Sequence, residues 1–491
     1  MIKALLVHGY KNYFRSPVWG KSLAANILLG LVALMMLTYV LLGGIFLLEI
    51  VERLMPDSDP QTVINGLVLY YFGIEFMLRF FLQGSPVLFI EPYLHLPIKK
   101  ERIINFMLRK SSLSAFNLLA FFLFLPFALI HMIPDQGFLG SISWIAGLIG
   151  LVFLNQYLGI LVKKKLNDSA KSTVIILGSI LSLILLEYFG VVKFSEVSTA
   201  LMNQFMVQPI LSLVPFILGF IIYRANYNFL VKNTYPEELS AKEKTAKIKG
   251  DFGFLKNFGA TGELIAVELK LILRHKRPRT MLIMAGFLLL YGLIFYPEEN
   301  YQEMSFIFMF VGTFITGLFF ITNGQFMVSW QGSHFDFILT RKGGIQEYLK
   351  AKYWMYAAAC FGAFIISLAY IFFGWKIGLI NLSAFLFNVG INIPMVMYIS
   401  MYSPKKIDLN KGAAFNYQGV GAAQFLIAFP VIISPYLIYL PLYLMGYEIL
   451  GILAVGLVGI IGFLLRDKIL NKLTQRLTVK RHQIAAGFRA Q

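Results

Sequence analysis

Apolar runs near or above ~20 residues, the length that crosses a ~30 Å hydrocarbon core, recur along the whole of this chain. Twelve are readable, at about 22–48, 64–90, 111–133, 139–162, 172–192, 209–231, 280–296, 304–330, 353–375, 378–402, 418–444 and 446–465. A backbone in lipid must satisfy its own hydrogen bonds, which leaves helices or a closed barrel, and runs of this length are helical. The 491 residues are 58% hydrophobic and 14% charged. A soluble domain carries roughly 25% charged residues, so most of this chain has no reason to face water. The predicted fold is an all-α polytopic membrane protein of about twelve transmembrane helices.

The formal charge of +18 raises nucleic acid as a partner, and the placement of the charges argues against it. With both termini cytoplasmic, all but four of the 43 Lys and Arg fall in cytoplasmic segments. Arg53, Lys193 and Lys376 lie on the other side and Arg79 lies within a span, whereas the opposite loops carry Glu49, Glu52, Asp57, Asp59, Glu298, Glu299 and Glu303. This is the positive-inside pattern, not the basic stripe of a nucleic-acid-binding domain. The single cysteine, Cys360, lies inside the ninth span and supports neither a disulfide nor a metal cluster. Residues 1–21 carry Lys3, Lys11, Arg15 and Lys21 without a cleavage site, so the first span is expected to direct insertion. The expected address is a bacterial inner (cytoplasmic) membrane, multi-pass, with both termini cytoplasmic.

Two segments, 94–110 and 336–352, are weak copies of each other. They pair Lys99 with Arg341, Lys100 with Lys342, Ile103 with Ile345 and Lys110 with Lys352; the same offset pairs Arg224 with Arg466. The chain therefore reads as one unit written twice: a first six-span repeat at 1–231, a cytoplasmic linker at 232–262, and a second six-span repeat at 263–491 with a basic C-terminal tail. Six spans is an even number, so both copies insert in the same sense, as parallel repeats about an axis along the membrane normal. Each copy begins with an amphipathic stretch suited to the cytoplasmic interface. Lys11 and Arg15 precede Pro17 in the first; Lys270 and Arg274 precede Pro278 in the second, where Leu264, Ile265, Val267, Leu271 and Ile272 are interleaved with Glu263 and Glu268. The bland alternative is an ordinary membrane anchor.

Signatures of catalysis are missing from the sequence. Gly20-Lys21-Ser22 has the end of a phosphate loop, but Arg15 stands where its first glycine belongs and no strand precedes it. There is no His-Glu-x-x-His and no cysteine pair, so no catalytic, cofactor-binding or metal-ligating residue is assigned. The longest cytoplasmic stretch, Arg224 to Arg279, is about 56 residues; a nucleotide-hydrolysing domain needs on the order of 200. Two features inside the spans stand out. Glu75 and Arg79 sit one helical turn apart in the second span and can pair. An ionisable residue there is expensive, so the pair is either a structural tie between helices or a contact for a polar headgroup or gate. Pro430, Pro435 and Pro441 cluster in the eleventh span, where each removes a backbone donor. A helix break near 435–447 with a short re-entrant piece is expected, residues 193–208 taking that place in the first copy; a simply kinked helix is the alternative.

The run Leu94-His95-Leu96-Pro97-Ile98-Lys99-Lys100-Glu101-Arg102-Ile103 is similar to the Leu-Pro-Ile-polar-basic run of ABC-2 type exporter permeases. Those proteins have six spans per half, an interfacial helix before the first span, a basic coupling segment between spans two and three, and a re-entrant element before the last. The second copy keeps Ile338-Leu339-Thr340-Arg341-Lys342 but lacks the proline and the counterpart of Arg102. The chain most resembles the large fused permeases of Bacteroidota. The resemblance implies two ABC ATPase subunits, encoded separately and carrying ATP and Mg, docked under residues 1–21, 94–110, 263–278 and 336–352. Pro97, Lys99, Lys100, Arg102, Arg341 and Lys342 would then form the ATPase-coupling loops. It implies a transport subunit rather than an enzyme, with lipid around it; few polar groups line the spans, so a lipid-like, peptide or hydrophobic cargo is expected rather than a sugar or an ion. The competing expectations are a gradient-driven secondary transporter of six-plus-six architecture, or a membrane scaffold or regulator without transport. Residues 91–111 contain no glycine, which weakens the likeness to the major facilitator loop.

Overall fold

The computed structural model describes residues 7, 11, 23–83, 93, 97–165, 170–233, 252–298, 305–340, 344–402, 404, 406, 407, 409 and 422–489. All regular structure among them is helical. Among the described residues, seven helical runs are long and apolar enough to cross a membrane, and nine if each of two sharply bent pairs counts as one span. The chain divides into two compact units: residues 1–168 with 175–242, and residues 169–174 with 243–491.

In the first unit, α1 (Leu23–Ile45) is followed by α2 (Leu47–Leu54), bent 66° from it, and then by α3 (Pro60–Leu82). Asp59 caps α3: its carboxylate accepts from the Thr62 N–H at 2.9 Å, and Pro60 fills the first helical position, where no donor is needed. Then come α4 (Lys100–Ser111), α5 (Ala115–Phe127), a wide π turn at Ala128–Met132, and α6 (Ile133–Lys165). This run of 66 residues is about three times the length that crosses a bilayer, and Gly137 interrupts it with φ of 75°, a conformation glycine adopts without steric cost. The unit closes with α7 (Ala170–Tyr188) from residue 175 onward, α8 (Phe194–Val207) and α9 (Val214–Asn233). Its core gathers Val68 and Phe72 of α3, Phe124 of α5, Trp144 of α6 and Phe205 of α8. Side chains such as Leu34 and Met36 on α1, Ile184 on α7 and Ile217 on α9 remain exposed, an apolar outer surface suited to lipid.

The second unit begins with α10 (Gly259–Arg274) and α11 (Lys276–Phe287), which runs on through short turns to Phe295. Then follow α12 (Ser305–Gly324), α13 (Phe335–Thr340), α14 (Gly344–Ser367), α15 (Trp375–Phe387), a second π turn at Asn388–Asn392, and α16 (Ile393–Ser400). The last three helices are α17 (Ala422–Leu444), α18 (Glu448–Leu464) and α19 (Arg466–Arg489). α18 meets the π turn backbone to backbone: a Cβ on Gly390 would strike the Gly459 carbonyl, and one on Gly462 would lie 2.6 Å from the Gly390 carbonyl. Residues 466–489, read from sequence as a tail, form a helix bent 62° from α18. Leu470, Leu473, Leu477, Ile484 and Phe488 of α19 are buried in the unit's core, and Arg489 pairs with Asp336 at 2.9 Å.

α17 continues through Pro430, Pro435 and Pro441 rather than breaking at any of them, and the break comes at the far end of the expected interval 435–447, at Gly446 with φ of 82°. One reason is visible at Pro435. Its missing N–H would have bonded the Val431 carbonyl, and that carbonyl instead accepts from Asn392 Nδ2 at 3.2 Å and Ser434 Oγ at 3.3 Å. Neighbouring side chains thus supply the donor that proline lacks, as the apolar surroundings require.

Candidate functional site

In the first unit the basic segment folds as an amphipathic helix. Lys99 stands at the entry of α4, and Ile103, Ile104, Met107 and Leu108 turn inward against Tyr157 and Ile160 of α6 and Leu230 of α9. Asn105 accepts a hydrogen bond from Tyr223 Oη. Pro97, Lys99, Arg102, Arg109 and Lys110 face outward, while Lys100 is half-buried. The apolar face fixes the helix to the ends of two long helices and leaves a cationic face on the surface.

The far end of α4 meets the Glu75–Arg79 pair. Arg79 Nη2 donates to Glu75 Oε1 and to Asn117 Oδ1, and Arg79 Nη1 donates to Gln156 Oε1. Asn155 Nδ2 donates to Glu75 Oε2 at 2.8 Å and to the Phe72 carbonyl at 3.1 Å. Gln156 Nε2 donates to the Ser111 carbonyl at 3.0 Å, and Asn117 Nδ2 to the Ser112 carbonyl at 2.6 Å. Those two carbonyls end α4. Arg79 also lies over the Phe116 ring, 5.4 Å from its centre. Below it, Lys163 of α6 donates to the carbonyls of Phe80 and Gln83, at 2.8 and 2.6 Å, which closes the end of α3. One continuous set of buried hydrogen bonds therefore joins α3, α5 and α6 to the end of the basic helix. Such a set is stiff, because any member displaced alone leaves a buried group unpaired.

The second unit carries a buried pair that the sequence did not single out. Lys352 Nζ of α14 meets Glu268 Oε2 of α10 at 2.7 Å, and Gln331 Nε2 donates to Glu268 Oε1 at 2.5 Å. Both charged residues are nearly inaccessible, at 1% and 3% exposure. The amphipathic reading placed Glu268 on the polar face of this segment; the structure turns it inward and leaves Val267 exposed. The pairing of Lys110 with Lys352 as equivalents also fails in environment, since Lys110 is exposed. The pair was hidden because Lys352 precedes the apolar run from 353 by one residue and read as loop. Lys270 and Arg274 lie exposed on α10. Lys11 is helical and exposed, whereas Arg15, Arg341 and Lys342 lie outside the described residues, as do 234–251 of the expected linker. Asn117 and Gln156 were missed as partners of Arg79, and Asn155 as a partner of Glu75; their signal was a polar amide inside an otherwise apolar run.

The family whose description reads "Family of unknown function (DUF5687)" matches residues 9–491. No curated protein and no solved structure matches the chain.

Proposed function

We propose that this chain, which belongs to the DUF5687 family, is the transmembrane permease subunit of an ATP-driven exporter of ABC-2 type. In this reading it spans a bacterial inner membrane twelve times as two parallel six-span repeats, with both termini cytoplasmic. Two separately encoded ATPase subunits dock on its basic cytoplasmic elements, and a lipid-like, peptide or hydrophobic cargo is exported. The observation that carries the reading is the joint between α4 and the buried network. A partner seated on Lys99, Lys100 and Arg102 grips a helix whose last carbonyls are bonded to Asn117 and Gln156, and through them to Arg79. Movement of α4 is then delivered to α3, α5 and α6 together.

The test is purification of the tagged chain in mild detergent, with identification of co-purifying proteins and an assay of ATP hydrolysis. A stoichiometric ATPase with vanadate-sensitive turnover is expected. Reversal of Lys99, Lys100, Arg102, Arg341 and Lys342 to Glu is expected to detach or uncouple it while membrane insertion persists. A chain that purifies alone, without hydrolysis, overturns the reading. The mid-helix Glu75–Arg79 pair keeps one second reading in play, a gradient-driven carrier; uptake or efflux that follows the proton gradient and stops in Glu75→Gln would establish it instead.

A further inference from the structure

Polar side chains in the second unit line up from one end of its helices to the other. At one end, Lys376 opens α15 and pairs with Glu448 of α18 at 2.8 Å. Close by in sequence on α17 is Tyr439, wholly buried. On the next level, Tyr296 Oη donates to Asn381 Oδ1 at 2.8 Å. Two turns further along, Asn388 Nδ2 donates to the Thr313 carbonyl at 3.0 Å and to Thr316 Oγ1 at 2.8 Å. Asn392 Nδ2 donates to Asn388 Oδ1 at 2.8 Å, and its own Oδ1 accepts from Ser434 Oγ at 2.9 Å. Beyond them Tyr356 Oη donates to Asn323 Oδ1 at 3.0 Å. The Glu268–Lys352 pair holds the other end.

The sequence spacing puts these groups in register. Asn381, Asn388 and Asn392 recur at seven and four residues, so they share one face of α15 and its continuation. Thr313, Thr316 and Asn323 do the same on α12. At 1.5 Å per residue, Asn381 to Asn392 alone covers about 16 Å, over half of a ~30 Å hydrocarbon core. Glycines on α12 clear the ground opposite: a Cβ on Gly312 would lie 2.9 Å from Asn381 Oδ1, and one on Gly317 2.9 Å from Asn388 Nδ2.

Amides and hydroxyls between packed helices commonly serve as mutual hydrogen-bond glue, but glue consumes its own donors. Here Asn381 Nδ2, Asn323 Nδ2 and Tyr439 Oη have no partner among the described residues, and neither does Glu448 Oε1. The three residues Asn381, Tyr439 and Asn323 are 0%, 0% and 1% exposed. A buried polar group left unpaired in apolar surroundings is costly. The unused atoms also select the ligand. Two of them are amide N–H groups, which repel a cation. An apolar molecule offers them no acceptor. Water both accepts from the amides and donates to the carboxylate, and needs only two to four polar partners.

We propose that the second unit holds a file of bound water along this column, seated at Asn381, at Tyr439 and at Asn323, between the two ion pairs. Hydroxyl-radical labelling of the full chain in lipid nanodiscs tests it, because radicals generated from bound water oxidise side chains beside that water even when they are shielded from bulk solvent. Tyr296 and Tyr356, at 0% and 1% exposure, are expected to be oxidised several-fold faster than Trp144, which is equally buried at 0% but bonded to Asn65 Oδ1 at 2.9 Å. Asn381→Leu combined with Asn323→Leu is expected to bring both tyrosines down to the Trp144 rate. Labelling of the two tyrosines no faster than Trp144 in the unaltered chain overturns the proposal, whether or not the variant folds. Fast labelling that survives in a folded double variant overturns it as well.

Discussion

Arg79→Met tests the buried network directly, because methionine keeps the length of the side chain and removes every donor. Arg79 and Glu75 are 2% and 4% exposed, so solvent does not screen the loss. Glu75 would keep the 2.8 Å bond from Asn155 but lose its counter-charge, while Asn117 Oδ1 loses its donor and Gln156 Oε1 keeps only a 3.5 Å approach from Gln83. Breaking a buried pair by removing one partner costs ~3–5 kcal/mol. A unit of this size shifts by about 2–4 °C per kcal/mol, which puts the change at roughly 10 °C. Fluorescence-detected gel filtration after heating the detergent-solubilised chain measures it. The control is the double variant Glu75→Leu with Arg79→Met, which removes both charges and leaves only the amides to re-pair. It is expected to recover at least half of the lost stability, since replacing a whole buried pair is often close to neutral. A single variant as stable as the original chain, or a double variant no better than the single, would refute the claim that the pair is a desolvated, mutually dependent tie.

Two further outcomes follow from the same structure. Lys352→Met leaves Glu268 buried with Gln331 and should destabilise by about 3–5 kcal/mol, whereas Lys110→Met, on an exposed residue, should stay within ~0.5 kcal/mol; the same heating assay compares them. The Asp59 cap should be pH-dependent: the Thr62 hydroxyl and N–H hold its carboxyl below the usual carboxylate range. The cap is therefore fully present above the unfolded value of about 3.9 and is lost as pH falls through the lowered folded value. The difference between the chain and Asp59→Ala, about 0.5–1 kcal/mol at neutral pH for an exposed cap, should vanish in stability curves taken well below pH 4.

Hydropathy made the helices legible because each span must bury its apolar length by itself, without information from elsewhere in the chain. It also made Glu75 and Arg79 conspicuous, since a charge in such a run is costly and must be paired or used. Their partners were illegible: Asn117 is 38 residues from Arg79 and Asn155 is 80 from Glu75, and an amide in a span looks alike whether it bonds its own helix or another. Glu268 failed for a different reason. On α10 the apolar residues cover too wide an arc to show which side protein covers and which side faces lipid, and the structure gives the inward position to the acid and the outward one to Val267. The α19 helix was readable, because Leu470, Leu473, Leu477, Ile484 and Phe488 keep helical spacing; the density of cations around them masked it. At Pro435 the rule that proline removes a donor was right, and only the side chains of Asn392 and Ser434 decide that the helix survives.

The two buried pairs bear differently on how force would enter each unit under the exporter reading. In the first unit, the pair lies within one helix, α3, and its outer bonds run to the end of the basic helix α4. Motion imposed on α4 therefore reaches the interior of the unit with no flexible element between. In the second unit, the pair joins two helices, α10 to α14, and α14 begins directly after the basic residues Arg341 and Lys342. A push there acts first on α10, which carries Lys270 and Arg274 on its exposed face. Equal strokes from two identical ATPase subunits would then move a membrane-spanning core in one unit and a surface helix in the other. Cutting Glu75–Arg79 should uncouple hydrolysis from transport, whereas cutting Glu268–Lys352 should loosen the docking of α10 and weaken ATPase binding before it affects coupling. Identical phenotypes for the two cuts would show that the two units work symmetrically despite their different interiors.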